Sequence, residues 1–333
     1  MIEHSIIAMM ILIAVALAFD FMNGFHDAAN SIALMVSTRL LTPQAAVAWA
    51  AFFNFIAFLF MGLHVAKTVG SGIVSADVVD NSVIFGALCG AILWNVITWW
   101  FGIPSSSSHA LVGGLVGAAL AKAGGRAIVA KGLIKTSAAI ILSPLFGLLL
   151  ALSMSIALLW LLEKSPPFQT EAKFNRLQFI SSSLYSLGHG GNDAQKTMGI
   201  IAVLLYANGY SPDGFSVPFW VVISCQIAMG LGTLFGGWRI VRTMGIGITR
   251  IRPTGGFAAQ TSGAIGLFIA TGMGIPVSTT HTITGAIVGV GMSRRLSAVR
   301  WGLASRILWA WALTIPASGL LAAFFYHIWV YFS

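Results

Sequence analysis

Residues 102–109 read Gly-Ile-Pro-Ser-Ser-Ser-Ser-His, and residues 274–281 read Gly-Ile-Pro-Val-Ser-Thr-Thr-His. Both stretches lie inside strongly apolar sequence. Each is preceded in its own half by a second polar run, Gly24-Phe25-His26-Asp27-Ala28 and Gly190-Gly191-Asn192-Asp193-Ala194, and the two pairs recur at nearly the same offset. Buried hydroxyls and carboxylates left unpaired in hydrocarbon cost several kcal/mol each. A duplicated apolar chain that keeps them twice uses them, and the use they fit is holding a polar solute at mid-membrane.

The composition sets the surrounding medium. The 333 residues are 57% hydrophobic and 8% charged, with mean hydropathy +0.89; soluble domains run near 25% charged. The chain therefore reads as an integral membrane protein. Its net charge of +9 does not indicate nucleic acid, because no basic stripe with interleaved aromatics accompanies it. The Lys and Arg sit in short loops, where they orient helices and meet anionic headgroups. Cys89 and Cys225 fall in apolar segments without metal or disulfide spacing and read as packing residues. The first apolar segment lacks a basic leader and a small-residue cleavage site, so it is expected to remain in the mature protein.

Polar breaks divide the sequence into roughly ten segments of membrane-compatible length: 5–36 and 177–207, both interrupted, with 44–64, 82–102, 105–121, 136–162, 216–236, 255–273, 277–292 and 303–327. Residues 1–162 and 177–333 form two repeats joined by a short linker, 163–176. Five segments per half is an odd number, so the second half enters from the opposite side. The expected fold is all-α, with two inverted-topology repeats, broken helices and hairpin tips at mid-membrane, a plan common among secondary transporters. The third and fourth segments of each half either span or form a re-entrant hairpin tipped at 104–109 or 276–281. Three full spans per half are still odd, so the inversion holds either way. Most Lys and Arg between segments fall on the side opposite the N-terminus, which places both termini outside; the run Lys122 to Lys135 argues the other way.

In the first segment Asp20, Asn23, His26, Asp27 and Asn30 recur every three or four residues, which puts them on one helix face. Gly24 is where that helix is expected to break, freeing backbone groups around a protected cavity. The equivalent set in the other half is His189, Asn192, Asp193, Gln195, Lys196 and Thr197. A buried hydrogen-bond network would explain one such cluster; two in register point to a site. Asp27 and Asp193 are the candidate cation ligands, because a carboxylate in low dielectric either takes a proton or pairs with a cation. Lys196 is either the counter-ion of Asp193 or a direct anion contact.

In each Gly-Ile-Pro motif, Pro followed by Ser or Thr suits the first turn of a helix. Helix N-termini attract anions, and Ser105 to Ser108 with Ser278, Thr279 and Thr280 add hydroxyl donors. Alone, each motif is an ordinary cap. Paired, they make a donor-rich cage without a fixed cation, suited to a tetrahedral oxyanion that must leave again. His109 and His281 bind the anion, shuttle a proton, or are satisfied core residues. Gly113/Gly117 and Gly285/Gly289 are expected to permit close helix contact, and Trp94, Trp99, Trp100 and Trp301 to serve as interface belts or packing.

These motifs resemble the inorganic phosphate transporter (Pit) family, through Gly24 to Asn30, Gly190 to Lys196 and the two Pro-x-Ser/Thr-Ser/Thr-His stretches. The resemblance spans nearly the whole chain. It implies symport of inorganic phosphate with a cation through an all-helical inverted-repeat carrier of the bacterial cytoplasmic membrane, often a homodimer, with no cofactor. Phosphate ligands would lie among Ser106, Ser107, Ser108, Ser278, Thr279 and Thr280, and cation ligands on Asp27, Asn30, Asn192 and Asp193. Asp20, Asn23, His26, His109, His189, Gln195, Lys196 and His281 would support them. His26 stands where sodium-coupled relatives usually carry Asn, which favours H+ over Na+ and resembles carriers that take phosphate with a divalent metal. The rivals are a carrier of sulfate or a related oxyanion and an intramembrane metallohydrolase on His109, His281 and the aspartates. The hydrolase lacks a compact ligand spacing such as His-x-x-x-His.

Overall fold

The computed structural model describes residues 6–75, 77–211 and 215–333. Among them the chain is helical throughout, with one isolated bridge, Val74 to Ile128. The helices are α1 (Ile6–Ser37), α2 (Pro43–Ile56), α3 (His64–Ser71), α4 (Asn81–Trp100), α5 (Ser107–Ala123), α6 (Ala130–Leu161), α7 (Pro167–Ala207), α8 (Phe219–Phe235), α9 (Trp238–Arg242), α10 (Pro253–Gly272), α11 (Thr279–Met292) and α12 (Trp301–Phe332). By length and composition α1, α4, α6 and α12 are long and apolar enough to cross a membrane, or up to six spans if each bent pair counts as one.

The repeated Gly-Ile-Pro builds each hairpin locally. Gly102 and Gly274 both have φ +64°, a left-handed conformation that glycine adopts without a Cβ penalty. Each closes the preceding helix with paired bonds: Gly102 N–H to the Trp99 carbonyl and Ile103 N–H to Thr98, and Gly274 N–H to Thr271 and Ile275 N–H to Ala270. Ser106 then caps α5 by accepting from His109 N–H at 3.2 Å, and Ser278 caps α11 from His281 N–H at 3.1 Å. At 17 and 14 residues, α5 and α11 are about 26 and 21 Å long, short of a bilayer core of about 30 Å. α4 with α5, and α10 with α11, thus form helical hairpins whose second arm is shorter than a full span.

The expected break at Gly24 does not occur. α1 runs unbroken through it for 32 residues, and α7 runs unbroken for 41 through Gly190 and Gly191. These glycines instead admit another backbone: a Cβ on Gly24 would overlap the Met229 carbonyl of α8, and one on Gly190 the Asn54 backbone of α2. The breaks fall one segment later. α2 with its 3-10 extension meets α3 at 85°, and α8 meets α9 and the following turn at 61°. Residues 239–247, read as loop, are thus α9 and a π turn. The expected linker 163–176 is helical from Pro167 onward, leaving only 162–166 outside helices.

Two apolar cores form, and neither is made by one half of the chain. The α4–α5 hairpin packs on α12, and the α10–α11 hairpin packs on α6. Small residues permit both contacts: Gly113 and Gly117 lie against Ile315, Ser318 and Gly319, and Gly285 and Gly289 against Pro144 and Leu148. α1 contributes Met9 to Phe19 to one core and Ala29 to Met35 to the other; α7 likewise gives Ala194 to Leu205 to one and Tyr185 to the other. The polar middles of α1 and α7 therefore lie where the two cores meet.

Candidate functional site

At that meeting place the two hairpin tips face each other. Ser106, Ser107, Ser108, Ser278, Thr279 and Thr280 are all at most 4% exposed. His109 and His281 stand ring against ring with centroids 4.3 Å apart at 90°. His281 also stacks on Trp311 at 3.6 Å, whose indole N–H donates to the Pro104 carbonyl at 2.9 Å. Neither ring nitrogen of His109 has a hydrogen-bond partner among the described residues. The two histidines therefore lock tip to tip as packed rings.

Each long helix reaches across to the other half's tip. Asn30 on α1 donates to Thr280 Oγ1 at 2.9 Å and Thr279 Oγ1 at 3.2 Å, and Thr279 donates to Asp193 Oδ2 at 3.1 Å. Lys196 on α7 donates to Asp193, to Ser108 Oγ and to the Val277 carbonyl. An ammonium has three N–H donors, and here all three are used. In this closed arrangement Lys196 pairs with Asp193 and ties α7 to both tips.

The carboxylates converge beside the tips. Asp27, His189 and Asp193 each present a ligand atom within 4.8 Å of the others. His26 Nδ1 lies 2.7 Å from Asp27 Oδ1, and its Nε2 lies 3.0 Å from Thr98 Oγ1, which accepts from Ser105 at 2.9 Å. The corresponding residue of the other half, Asn192, donates to Thr271 Oγ1 at 2.9 Å and to the Ile275 carbonyl at 3.3 Å. It braces its own tip through Nδ2, while its Oδ1, like that of Asn30, is buried without a hydrogen-bond partner. His189 reaches Asn54 Oδ1 at 3.2 Å through Nδ1 and Asp193 Oδ2 at 3.4 Å through Nε2. Gln195 faces elsewhere: its carbonyl accepts from Val65 and Ala66 N–H at 2.9 and 3.3 Å, satisfying the start of α3. Asp20 and Asn23 are buried further along α1.

Several site residues carried no sequence signal. Thr98, Thr271 and Asn54 are single polar residues in apolar helices, and Tyr185 donates to the Thr279 carbonyl at 3.1 Å from 94 residues away. Trp94, read as belt or packing, donates to Thr314 Oγ1 at 3.2 Å. Trp99 and Trp100 carry the Arg239 guanidinium over their rings at 5.3 and 4.5 Å. The site is closed to solvent; a cavity of about 510 Å³ lies elsewhere, among the ends of α6, α7, α10 and α11.

A buried cluster of hydroxyls, helix N-termini and carboxylates, held between two hairpin tips in an all-helical membrane protein, fits a carrier. The comparisons name its family. The phosphate transporter family matches residues 23–322, and the chain belongs to it. It is 65% identical over 315 residues to a probable low-affinity inorganic phosphate transporter of Rhizobium meliloti (strain 1021), covering 95% of this chain and 94% of the relative. To one of the same description from Bacillus subtilis (strain 168) it is 45% identical over 326 residues, 97% of each. A solved structure titled the sodium-dependent phosphate transporter superposes with TM-score 0.86 at 25% identity, covering 97% of this chain and 99% of that one. The protein is a phosphate transporter of the membrane and not an enzyme.

Proposed function

We propose that the protein imports inorganic phosphate across the bacterial cytoplasmic membrane by symport with a cation, with H+ favoured over Na+, and that phosphate travels free or as a metal–phosphate complex. The observation that carries this reading is the hydrogen-bonded chain Asn30–Thr279–Asp193–Lys196–Ser108. It joins both hairpin tips to both long helices and to a carboxylate of the cation set. Phosphate would take the hydroxyls of Ser106 to Ser108 and Ser278 to Thr280, whose helix N-termini favour an anion. The cation would sit at Asp27 and Asp193 with His189 beside them, and Asn30 and Asn192, whose side-chain oxygens are buried without partners, would complete its ligands. An imidazole among the ligands suits a proton or a first-row divalent metal better than Na+, which takes oxygen donors.

The cycle is alternating access about this closed site, without covalent chemistry. The two halves, 1–162 and 177–333, act as inverted repeats with both termini outside, and the family resemblance adds a homodimer. Phosphate uptake into proteoliposomes, with a proton gradient and a sodium gradient imposed separately, tests the coupling. Accumulation under the proton gradient alone is expected; accumulation only under sodium overturns the choice of ion, and the sodium-dependent structural relative is the reason to run that arm. Arsenate should compete with labelled phosphate, whereas sulfate competing as well as arsenate would favour the related-oxyanion reading.

A further inference from the structure

α1 carries a third carboxylate that this cycle leaves unused. Asp20 lies about two turns before Asp27 and is 0% exposed. No Lys, Arg or His forms an ion pair with it among the described residues. Its side-chain hydrogen-bonding neighbours are uncharged: the Thr197 hydroxyl of α7 and the Cys225 thiol of α8 face it.

The other charged groups nearby do not neutralise it. α7 brings Asp193 and Lys196, which are engaged with each other. α2 and α10 carry no titratable residue, α4 carries only Cys89, and of the two α9 cations Arg239 lies on Trp99 and Trp100 while Arg242 is exposed. On α5, His109 faces His281.

A lone carboxylate in such a place costs several kcal/mol unless it binds a cation or a proton. A hard metal ion needs a shell of several oxygens, whereas Asp20 is met by one hydroxyl and one thiol, and it is no part of the carboxylate–imidazole cluster Asp27, His189 and Asp193. A proton needs one acceptor for the new O–H, and Thr197 Oγ1 offers it.

We propose that Asp20 is a proton-binding site of the transport cycle, separate from the Asp27–His189–Asp193 set. This rests on the symport reading above. Asp20 shares one unbroken helix with Asp27 and Asn30, and it faces α7 at Thr197, the residue after Lys196. Any movement that opens the site by shifting α1 against α7 and α8 also opens Asp20. On the outward side the carboxylate takes a proton from hydronium or a buffer acid; in the closed state the O–H stays within the protein; on the inward side it returns the proton to water. No electrons move and no other bond changes.

The test uses proteoliposomes with a pH-sensitive dye inside and labelled phosphate outside, read as protons moved per phosphate. Wild type should give a fixed ratio, Asp20→Asn a ratio lower by about one proton, and Asp20→Glu the wild-type ratio with a shifted pH profile. Infrared spectroscopy of the purified protein gives a reading that does not need transport. A protonated-carboxylic-acid band should be present in wild type and Asp20→Glu and absent in Asp20→Asn. An unchanged ratio, or the band unchanged in Asp20→Asn, overturns the assignment to Asp20. A wild-type protein that moves phosphate with no protons overturns the symport reading itself, whatever the variants do.

Discussion

Lys196→Gln isolates the buried ion pair that fastens the site. Lys196 is 2% exposed and donates to Asp193, Ser108 and the Val277 carbonyl. Removing one member of such a pair leaves the other charge buried with fewer partners, at a cost of about 3–5 kcal/mol. Asp193 would keep only Thr279 at 3.1 Å and His189 at 3.4 Å. Asp193→Asn should cost about as much, because it strands the ammonium instead. The double variant leaves two neutral amides able to bond each other. It should cost far less than the sum, with a coupling energy of about 3 kcal/mol, near the top of the range for contacting residues. The assay is denaturation of the detergent-solubilised protein followed by tryptophan fluorescence, run on all four members of the cycle. Single effects that add to within about 0.5 kcal/mol would refute the pairing. A direct anion contact makes the opposite prediction: Lys196→Gln would lower phosphate affinity while leaving stability unchanged.

Asp27→Asn should abolish coupled phosphate uptake while leaving folded protein in the membrane, and so should Asp193→Asn joined to Lys196→Gln; near wild-type uptake in both would overturn the cation site. Gly190→Val should destabilise by more than about 1 kcal/mol and lower the yield of monodisperse protein, because its Cβ would overlap the Asn54 backbone; Gly272→Val, with open space around its Cβ position, is the control. Outside the spans, burial alone would raise the Asp80 carboxyl, but hydrogen bonds from Lys122, Ser82 and the Val83 N–H outweigh it and hold the carboxyl below its usual value. A lowered carboxyl contributes stability above its unfolded value, about pH 4, and loses it as pH falls through the folded one. Asp80→Ala, which also removes the α4 cap, should therefore cost about 1 kcal/mol at pH 7 and a smaller amount near pH 3, read from melting at both pH values.

The hairpin tips were legible in the sequence because their causes are local. A glycine at φ +64°, a proline and a hydroxyl cap act within about eight residues, so both copies could be read from their letters. The carboxylates were legible for a different reason, since a charge in an apolar chain has few roles. Helix continuity at Gly24 was not legible. A glycine that breaks a helix and one that admits a neighbouring backbone look alike until the neighbour is in place, and here the neighbour is Met229 of α8.

By itself, then, the sequence determined the medium, the duplication, the hairpin tips and which polar residue types gather between them. Hydropathy, caps and turn geometry are properties of short stretches of chain. Only the tertiary structure decided the exchange of partners, with α4–α5 on α12 and α10–α11 on α6. From that follow Asn30 on Thr279 and Thr280, 249 and 250 residues away, and Lys196 on Ser108 as well as Asp193. Those contacts depend on which glycine-lined helix faces fit each other, and apolar faces of equal hydropathy carry no mark of their partner until they pack.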